Sequence, residues 1–366
     1  MNIIFDYQIF SLQKFGGISR YFVELANGLA NIEDVNISFF SPIFVNDYID
    51  STSSRPKVLG RKFPVFRRSG FVYLMLNRVW VSLLPRRARV DIVHETYYSS
   101  KSTLRVSGKR ILTVFDMIHE RFPDGVATWD ATVRNKSAAV KRADHIICIS
   151  ENTRRDLIDF LKVDPEKITV IHLGFSLTGN KSNIEFSTRR PYILFVGNRG
   201  GYKNFETLLQ VYAQCTFLNS KYDLIAFGGG CLSSTERIRI ETLGLSVDQV
   251  RDIQGGDELL AAAYKKAALF VFPSFYEGFG IPPLEAMGFR CPVACSNQSS
   301  MPEVVGDAAI LFDPYSIDSM REALELILSN DALRAEYVSK GIERIRNFSW
   351  DKCAAETMAV YEKVLK

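Results

Sequence analysis

The sequence predicts an α/β protein made of two Rossmann-like parallel-sheet domains. Short β-branched and aromatic runs alternate with amphipathic stretches of helical period along the chain, the pattern of βα repeats that feed parallel strands. The alternation stops once, near Gly174, where GFSLTGNKSNIEFSTRRP is rich in Ser, Asn, Thr and Gly and has no period, and then resumes. A length of 366 residues suits two domains of ordinary size, and 47% hydrophobic residues supply two cores. The expected division is a domain over 1–174, a linker over 175–190, a second domain over 191–348 and a final helix over 349–366.

In the first half, strands are expected at residues 2–6, 36–41, 91–94, 110–115, 145–150 and 168–172. GISRYFVELANGLANI, from Gly17, carries Phe22, Leu25, Ala26 and Leu29 on one helical stripe. SENTRRDLIDFL opens on Ser150, a residue type whose hydroxyl caps free helix amides, and continues with apolar Leu157, Ile158 and Leu161. The second half predicts strands at 192–196, 223–227, 250–253, 269–273, 293–295 and 309–312, with helices at 204–216, 257–267, 283–289, 317–329, 331–348 and 350–364. There is no internal repeat. Ligands of open parallel sheets bind beyond the carboxyl ends of the strands, so a crevice between the two domains is the expected site.

Several classes are set aside by composition. A net charge of +4 is too small to indicate nucleic acid. The six cysteines, at 148, 215, 231, 291, 295 and 353, form no CxxC and no Cys/His cluster. Cys291 and Cys295 flank an expected strand and read as core, and the pattern suits a reducing cytoplasm. The opening MNIIF runs at once into Asp6, so no signal peptide is expected. The longest apolar run, FVYLMLNRVWVSLL over residues 71–84, is broken by Asn77 and Arg78 and is too short to span a bilayer. No GxGxxG joins a strand to a helix, which argues against an NAD oxidoreductase. No two aspartates are separated by one residue and no other ligand cluster stands out, so no metal site is expected.

The chemistry concentrates in FYEGFGIPPLEAM. Glu277 and Glu285 stand eight residues apart around a turn containing Gly278 and Gly280. The glycines permit a tight turn and close approach of a ligand to the backbone. Pro282 and Pro283 suit a helix start, and the free amides and positive dipole end of that helix suit a phosphate. Glu285, in the first turn, suits a vicinal diol such as a ribose, and Glu277 a sugar hydroxyl. A helix cap with one surface charge is the structural alternative. In YILFVGNRGGYKNFETLL a strand ends at Gly197 and a glycine loop carries Arg199 and Lys203. Fixed cations of this kind can neutralise a departing diphosphate; the alternative is two solvated loop charges. LIAFGGG repeats the strand-then-glycine pattern.

EGFGIPPLEAM resembles the E-x7-E signature of glycosyltransferase family 4. The likeness continues through CPVACSNQSSMPEVVGDAAILFDP, ADHIICISENTRRDL, KITVIHLGF and GGISRYFVELANGL, most of the chain. It implies a GT-B fold whose C-terminal helix crosses back to the first domain. It implies retaining, metal-independent transfer of a hexose from a nucleoside-diphosphate sugar, with no cofactor. On this resemblance the catalytic residues are Glu277, Arg199, Lys203, Asp116 and His119. The donor is held by Gly17, Gly197, Gly228, Gln254, Gly278, Phe279, Gly280, Ile281 and Glu285. The family usually has Arg directly after the strand-end glycine; here Asn198 fills that slot and Arg199 follows, while Lys203 keeps the usual spacing. The family often has His before Asp116; here Phe115 stands there, and His119 follows three residues later. UDP-glucose or another UDP-hexose is the expected donor, with GDP-mannose as the alternative. A sugar-nucleotide epimerase, a glycoside hydrolase and a non-catalytic nucleotide-sugar sensor are the rival readings.

The expected acceptor is a saccharide or lipid-linked saccharide of polysaccharide synthesis, approached from the first domain, where His94 and Glu95 are further contacts to consider. Ten Lys or Arg and no Asp or Glu lie between residues 55 and 90, interleaved with Phe63, Phe66, Phe71, Tyr73 and Trp80. Basic and aromatic residues together suit an anionic membrane surface or acceptor; a helix packed on its own domain is the alternative. The expected location is the cytoplasm, peripheral at the plasma membrane.

Overall fold

The structure is a computed structural model and describes residues 1–50, 56–83, 90–123, 131–176, 184 and 186–366. The chain forms two compact units, Met1–Gly174 with Ser349–Lys366, and Phe175–Phe348.

The first unit carries seven parallel strands: β1 (Asn2–Phe5), β2 (Asn36–Phe44), β3 (Lys57–Lys62), β4 (Ile92–Glu95), β5 (Lys109–Val114), β6 (His145–Cys148) and β7 (Ile168–Val170). Their order is β3-β2-β1-β4-β5-β6-β7. The chain reverses direction across the sheet between β1 and β4, which defines the switch point of this unit. That point is closed by Asp6, whose carboxylate accepts from Thr96 N (3.0 Å), Thr96 Oγ1 (2.5 Å), Thr103 Oγ1 (2.6 Å) and Gln8 Nε2 (2.9 Å).

β3 was not expected. KVLGRK has little β-branched character, and it forms an exposed edge strand against a β2 whose register shifts between Phe40 and Ile43, at Pro42. Glycine is required at position 60, because a Cβ there would lie 1.7 Å from Ser41 O. The other strands start and end within two residues of expectation, except β2, which runs three residues further, to Phe44.

The helix Trp350–Leu365 belongs to this first unit and packs along the helix Gly17–Ala30, close enough that a Cβ on Gly28 would meet Ala354 Cβ at 2.7 Å. His94 fastens it from beneath. Its Nδ1 lies 2.6 Å from Tyr361 Oη and its Nε2 lies 2.8 Å from Thr113 Oγ1. His94 is therefore a core residue and not an acceptor contact. Glu95 is likewise spent within the fold, paired with Arg142 (2.6 Å) and Arg110 (3.4 Å).

The second unit carries β8 (Tyr192–Val196), β9 (Asp223–Phe227), β10 (Val250–Ile253), β11 (Leu269–Phe272), β12 (Val293–Ser296) and β13 (Ile310–Phe312), all parallel, in the order β10-β9-β8-β11-β12-β13. β8, β9 and β11 are near-continuous apolar runs because helices cover both faces. One core cluster joins Phe195, Leu224 and Val271 to the helices Phe205–Gln214 and Ile317–Ser329. Its switch point falls between β8 and β11. Of the expected linker, residues 177–183 and 185 lie outside the described residues. Its far end is packed: Phe186 is buried against Tyr192, and Arg190 donates to Asn219 O at 2.9 Å.

Burial lowers the imidazole of His94 to a pKa of about 3, from an ordinary 6.5. The folded unit holds it neutral, whereas the unfolded chain takes up a proton below pH 6.5. Its contribution is therefore complete above pH 6.5 and is lost progressively as pH falls toward 3. Melting of the wild type should drop by about 5–10 °C between pH 7 and pH 4 beyond the drop seen for His94→Gln. Parallel pH profiles for the two proteins in calorimetry would contradict the assignment.

Candidate active site

The loops that follow β8 and β11 flank the switch point of the second unit, the place where an open parallel sheet leaves room for a ligand. Lys203 comes from the first loop and Glu277 from the second. Their Nζ and Oε1 atoms are 2.7 Å apart, with side chains 18% and 12% exposed. The ammonium also lies 5.2 Å from the centre of the Phe272 ring and 5.4 Å from that of Tyr202, within reach of cation–π attraction.

The loops are locked to each other. Phe275 N donates to Tyr202 O at 2.8 Å. Asn204, buried and left-handed at φ 58°, donates from Nδ2 to Pro273 O and Pro314 O at 3.0 Å each. Its left-handed turn makes Phe205, not Asn204, the first helical residue. Glu277 N donates to Ser299 Oγ at 2.9 Å, while Ser300 Oγ serves Glu277 O (2.9 Å) and Phe279 O (2.8 Å). The backbone around Glu277 is thus fixed before any ligand arrives.

Gly280 ends the turn at φ +111° and caps the helix Ile281–Gly288, with Pro282 and Pro283 in its first turn. Two of the first-turn positions therefore carry no N–H, and the anion-directed donors of this helix end narrow to the amides of Gly280 and Ile281. Gly278 and Phe279 form the turn itself. Glu285 lies one turn into the helix, half-buried, and accepts from Tyr264 Oη at 3.4 Å. Burial first, then the adjacent Glu285 charge, raises that phenol well above its usual range, so it stays a donor.

A second cluster lies beyond β9. Gly228, Gly229 and Gly230 all have positive φ, and a Cβ on Gly229 would sit 2.8 Å from Gly197 O. Only glycine fits that run. Arg199 reaches into this turn. Its Nε lies 2.6 Å and Nη2 3.4 Å from Glu236, its Nη1 lies 3.0 Å from both Gly228 O and Gly230 O, and Nη2 lies 3.0 Å from Cys231 O. Those five contacts occupy all five guanidinium donors. In this arrangement Arg199, expected from sequence as a diphosphate cation, clamps the glycine turn. Gln254 joins it, donating to Gly230 O at 2.8 Å.

Burial alone would raise the Glu236 carboxyl, but the hydrogen bond from Arg199 and those from the Ser233 amide and hydroxyl outweigh it and hold the pKa at about 2. Asn204, Glu236, Ser299, Ser300 and Tyr264 were missed from sequence. Glu236 alone left a readable sign: Ser233 and Glu236 form a capping box, an S-x-x-E spacing.

In the first unit, Gly17 opens the helix Gly17–Ala30, with nothing within 4 Å of where its Cβ would be. Asp116 follows β5; its Oδ1 accepts from Ile118 N at 3.1 Å and lies 3.9 Å from the buried Lys136 ammonium. His119 lies half-buried on the short helix Ile118–Arg121. Lys136 binds Asp116 O (2.9 Å) and Glu120 (2.8 Å), fixing this strand end. Among the described residues no group of three or more His, Cys, Asp or Glu could hold a metal ion.

Two doubly wound parallel sheets, one with an ion pair and glycine turns gathered at its switch point, have the plan of an α/β enzyme. Comparison with known proteins specifies it. Residues 15–178 match the family model "Glycosyltransferase Family 4", and residues 179–344 match "Glycosyl transferases group 1". The chain belongs to this family of glycosyltransferases, and its fold is that of the GT-B enzymes. It is 28% identical over 379 residues to O-antigen chain mannosyltransferase B of Escherichia coli, covering 94% of this chain and 96% of that protein. It is 30% identical over 252 residues to the serotype-specific mannosyltransferase WbdA of Escherichia coli, covering 63% of this chain but only 30% of that protein. Sucrose-phosphate synthase from Thermosynechococcus elongatus shares the fold, with a TM-score of 0.72 at 18% identity over 99% of this chain and 98% of that one.

A Cβ at position 280 would meet Met301 Cε at 2.3 Å on a backbone at φ +111°. Gly280→Ala should therefore lower stability by about 1–3 kcal/mol and weaken nucleotide binding together. Denaturant melts and calorimetric titration with UDP and GDP check this, and unchanged values for stability and for binding would refute the turn's role.

Proposed function

We propose that the chain transfers a mannosyl group from GDP-mannose to a saccharide or lipid-linked saccharide acceptor in polysaccharide synthesis, with retention of configuration and without a divalent ion. The observation that carries this reading is the Lys203–Glu277 pair at 2.7 Å, set at the switch point beside the Gly280 helix end. The relatives named as mannosyltransferases favour GDP-mannose over the UDP-hexose first expected.

The electrostatics support a division of labour. Lys203 has three N–H donors and gives one to Glu277, so two remain to serve a phosphate oxygen as the glycosidic bond breaks. Glu277, held in place by that ammonium, is available to a sugar hydroxyl. The Gly280 and Ile281 amides add fixed dipoles at the point where negative charge develops, and these require no reorganisation during the reaction. Arg199 acts at one remove, by holding the Gly228–Gly230 turn in its left-handed shape. Glu285 suits the ribose diol. In the first unit, Gly17, Asp116 and His119 are the acceptor-side candidates. The acceptor hydroxyl attacks the anomeric carbon from the face the diphosphate leaves, and its proton goes to a phosphate oxygen of that leaving group. A lipid-linked acceptor would also bring the chain to a membrane surface through segment 55–89, of which residues 55 and 84–89 lie outside the described residues.

Purified protein should be stabilised by GDP more than by UDP in a thermal-shift screen. It should transfer mannose from GDP-mannose with undiminished rate in EDTA. Lys203→Ala and Glu277→Gln should each lower kcat by about a hundredfold or more with the fold intact. Stabilisation by UDP alone would overturn the donor assignment. Loss of turnover in EDTA would overturn the metal-free reading, and near-wild-type turnover of both variants would overturn the site. Epimer formation without acceptor, followed by NMR, would favour the epimerase.

Arg199→Lys should raise the KM for donor by about tenfold or more while changing kcat less, because a lysine cannot hold four acceptor groups at once. An equal fall in kcat with unchanged KM would instead return Arg199 to the reacting phosphate.

A further inference from the structure

The helix Ser69–Leu83 is turned inside out compared with an ordinary surface helix. Its inward stripe is Tyr73, Asn77 and Val81, all buried. It is fastened by Val81 and Leu74, which join an apolar cluster with Tyr7, Val93 and Leu104, and by polar bonds: Tyr73 Oη donates to Pro64 O at 2.8 Å, and Asn77 Nδ2 donates to Ile43 O (2.7 Å) and Ser11 Oγ (2.9 Å). Its outward face is apolar. Phe71, Val72, Met75, Leu76, Val79 and Trp80 are 38–67% exposed. The stretch before it, residues 61–68, is exposed throughout and adds Phe63, Val65 and Phe66. Apolar surface this continuous is uncommon on a chain that stays in water.

Charge says what covers it. Residues 56–83 contain Lys57, Arg61, Lys62, Arg67, Arg68 and Arg78, all exposed, and no acidic residue. Lys62 is paired with Asp47 (2.6 Å) and Asp50 (2.9 Å) of the short helix Asp47–Asp50. A second copy of this chain docked by two-fold symmetry would set these cations against their own copies. An anionic surface meets them favourably. At 15 residues the helix is about 22 Å long, short of the roughly 30 Å hydrocarbon layer, and no helix among the described residues is long and apolar enough to cross a membrane. A short helix with an apolar face and flanking arginines lies in the plane of the interface. Beside it, a cavity of about 520 Å³ is lined by Phe40, Pro42, Leu59, Phe63 and Trp80, with Arg61 among the lining residues.

We propose that this face docks the protein on an anionic phospholipid surface. Phe71, Val79 and Trp80 enter the acyl boundary, Arg61, Arg67 and Arg68 stay at headgroup level, and the cavity receives the end of an acyl chain. This deepens the lipid-linked acceptor reading. The test needs neither donor nor acceptor, so its failure is distinct from failure of the transfer reaction.

The full chain is sedimented with vesicles of phosphatidylcholine alone or with about one third phosphatidylglycerol, at low and high salt. Binding should be at least tenfold stronger on the anionic vesicles and should weaken with salt. It should fall at least tenfold in a Phe71→Ser, Val79→Ser, Trp80→Ser triple variant whose melting temperature is unchanged. Separately, Arg67→Glu with Arg68→Glu should remove the preference for anionic lipid. Absence of binding, equal binding to both vesicle types, or a triple variant that binds as well as wild type overturns the proposal. So does a wild-type dimer, seen by sedimentation velocity, that the triple variant dissolves while neither protein binds vesicles.

Discussion

One ion pair organises the second unit. Lys203 and Glu277 come from loops on either side of the point where the sheet reverses its order, and each fixes the other in a site that is mostly removed from water. Leaving either charge without its partner there costs about 1–3 kcal/mol. The left-handed Asn204, the Phe275–Tyr202 backbone bond and the two serines behind Glu277 all act to hold those two side chains in register. In the proposed function this preorganised pair supplies a cation for phosphate and a carboxylate for a hydroxyl. No loop need be rebuilt when ligand arrives.

The second constraint is the accounting of positive charge. A departing diphosphate needs more than one stabiliser, and the sequence offers two loop cations for it, Arg199 one place off the family's usual slot and Lys203 at its usual spacing. They are not equivalent in the fold. Arg199 is consumed by four carbonyl and carboxylate groups around three left-handed glycines, and its partner Glu236 is held ionised far below the usual carboxylate range. In the proposed reaction the remaining stabilisation falls to Lys203 and to two helix-end amides, because Pro282 and Pro283 carry no N–H. The shift of arginine by one place from the family's usual slot thus has a physical meaning. From position 199 the side chain shapes the neighbouring turn.

Much of this was legible from periodicity. Buried parallel strands such as YILFV and DLIAF are near-continuous apolar runs, and these advertise themselves. The turns at Gly228 and Gly280 were legible because turns and helix starts demand particular residue types. β3 was not, since an exposed edge strand needs no apolar alternation, and neither was the helix Ser234–Thr242, which buries only Ile240. Partner choice was illegible too. Nothing in NRGGYK says that Arg199 turns toward Gly228, 29 residues on, while Lys203 turns toward Glu277, 74 residues on. His94 and Glu95 show the same limit, because a strand end beneath a docked helix reads in sequence like a strand end open to a ligand.

The central claim is that Lys203 holds the diphosphate of the donor without help from a divalent ion. Calorimetric titration of GDP into wild type and into Lys203→Met, both in EDTA, tests it most directly. The account predicts a clear binding isotherm for wild type and an affinity at least tenfold weaker for the variant. Equal affinities, or wild-type binding that returns only when magnesium or manganese is added, would contradict it.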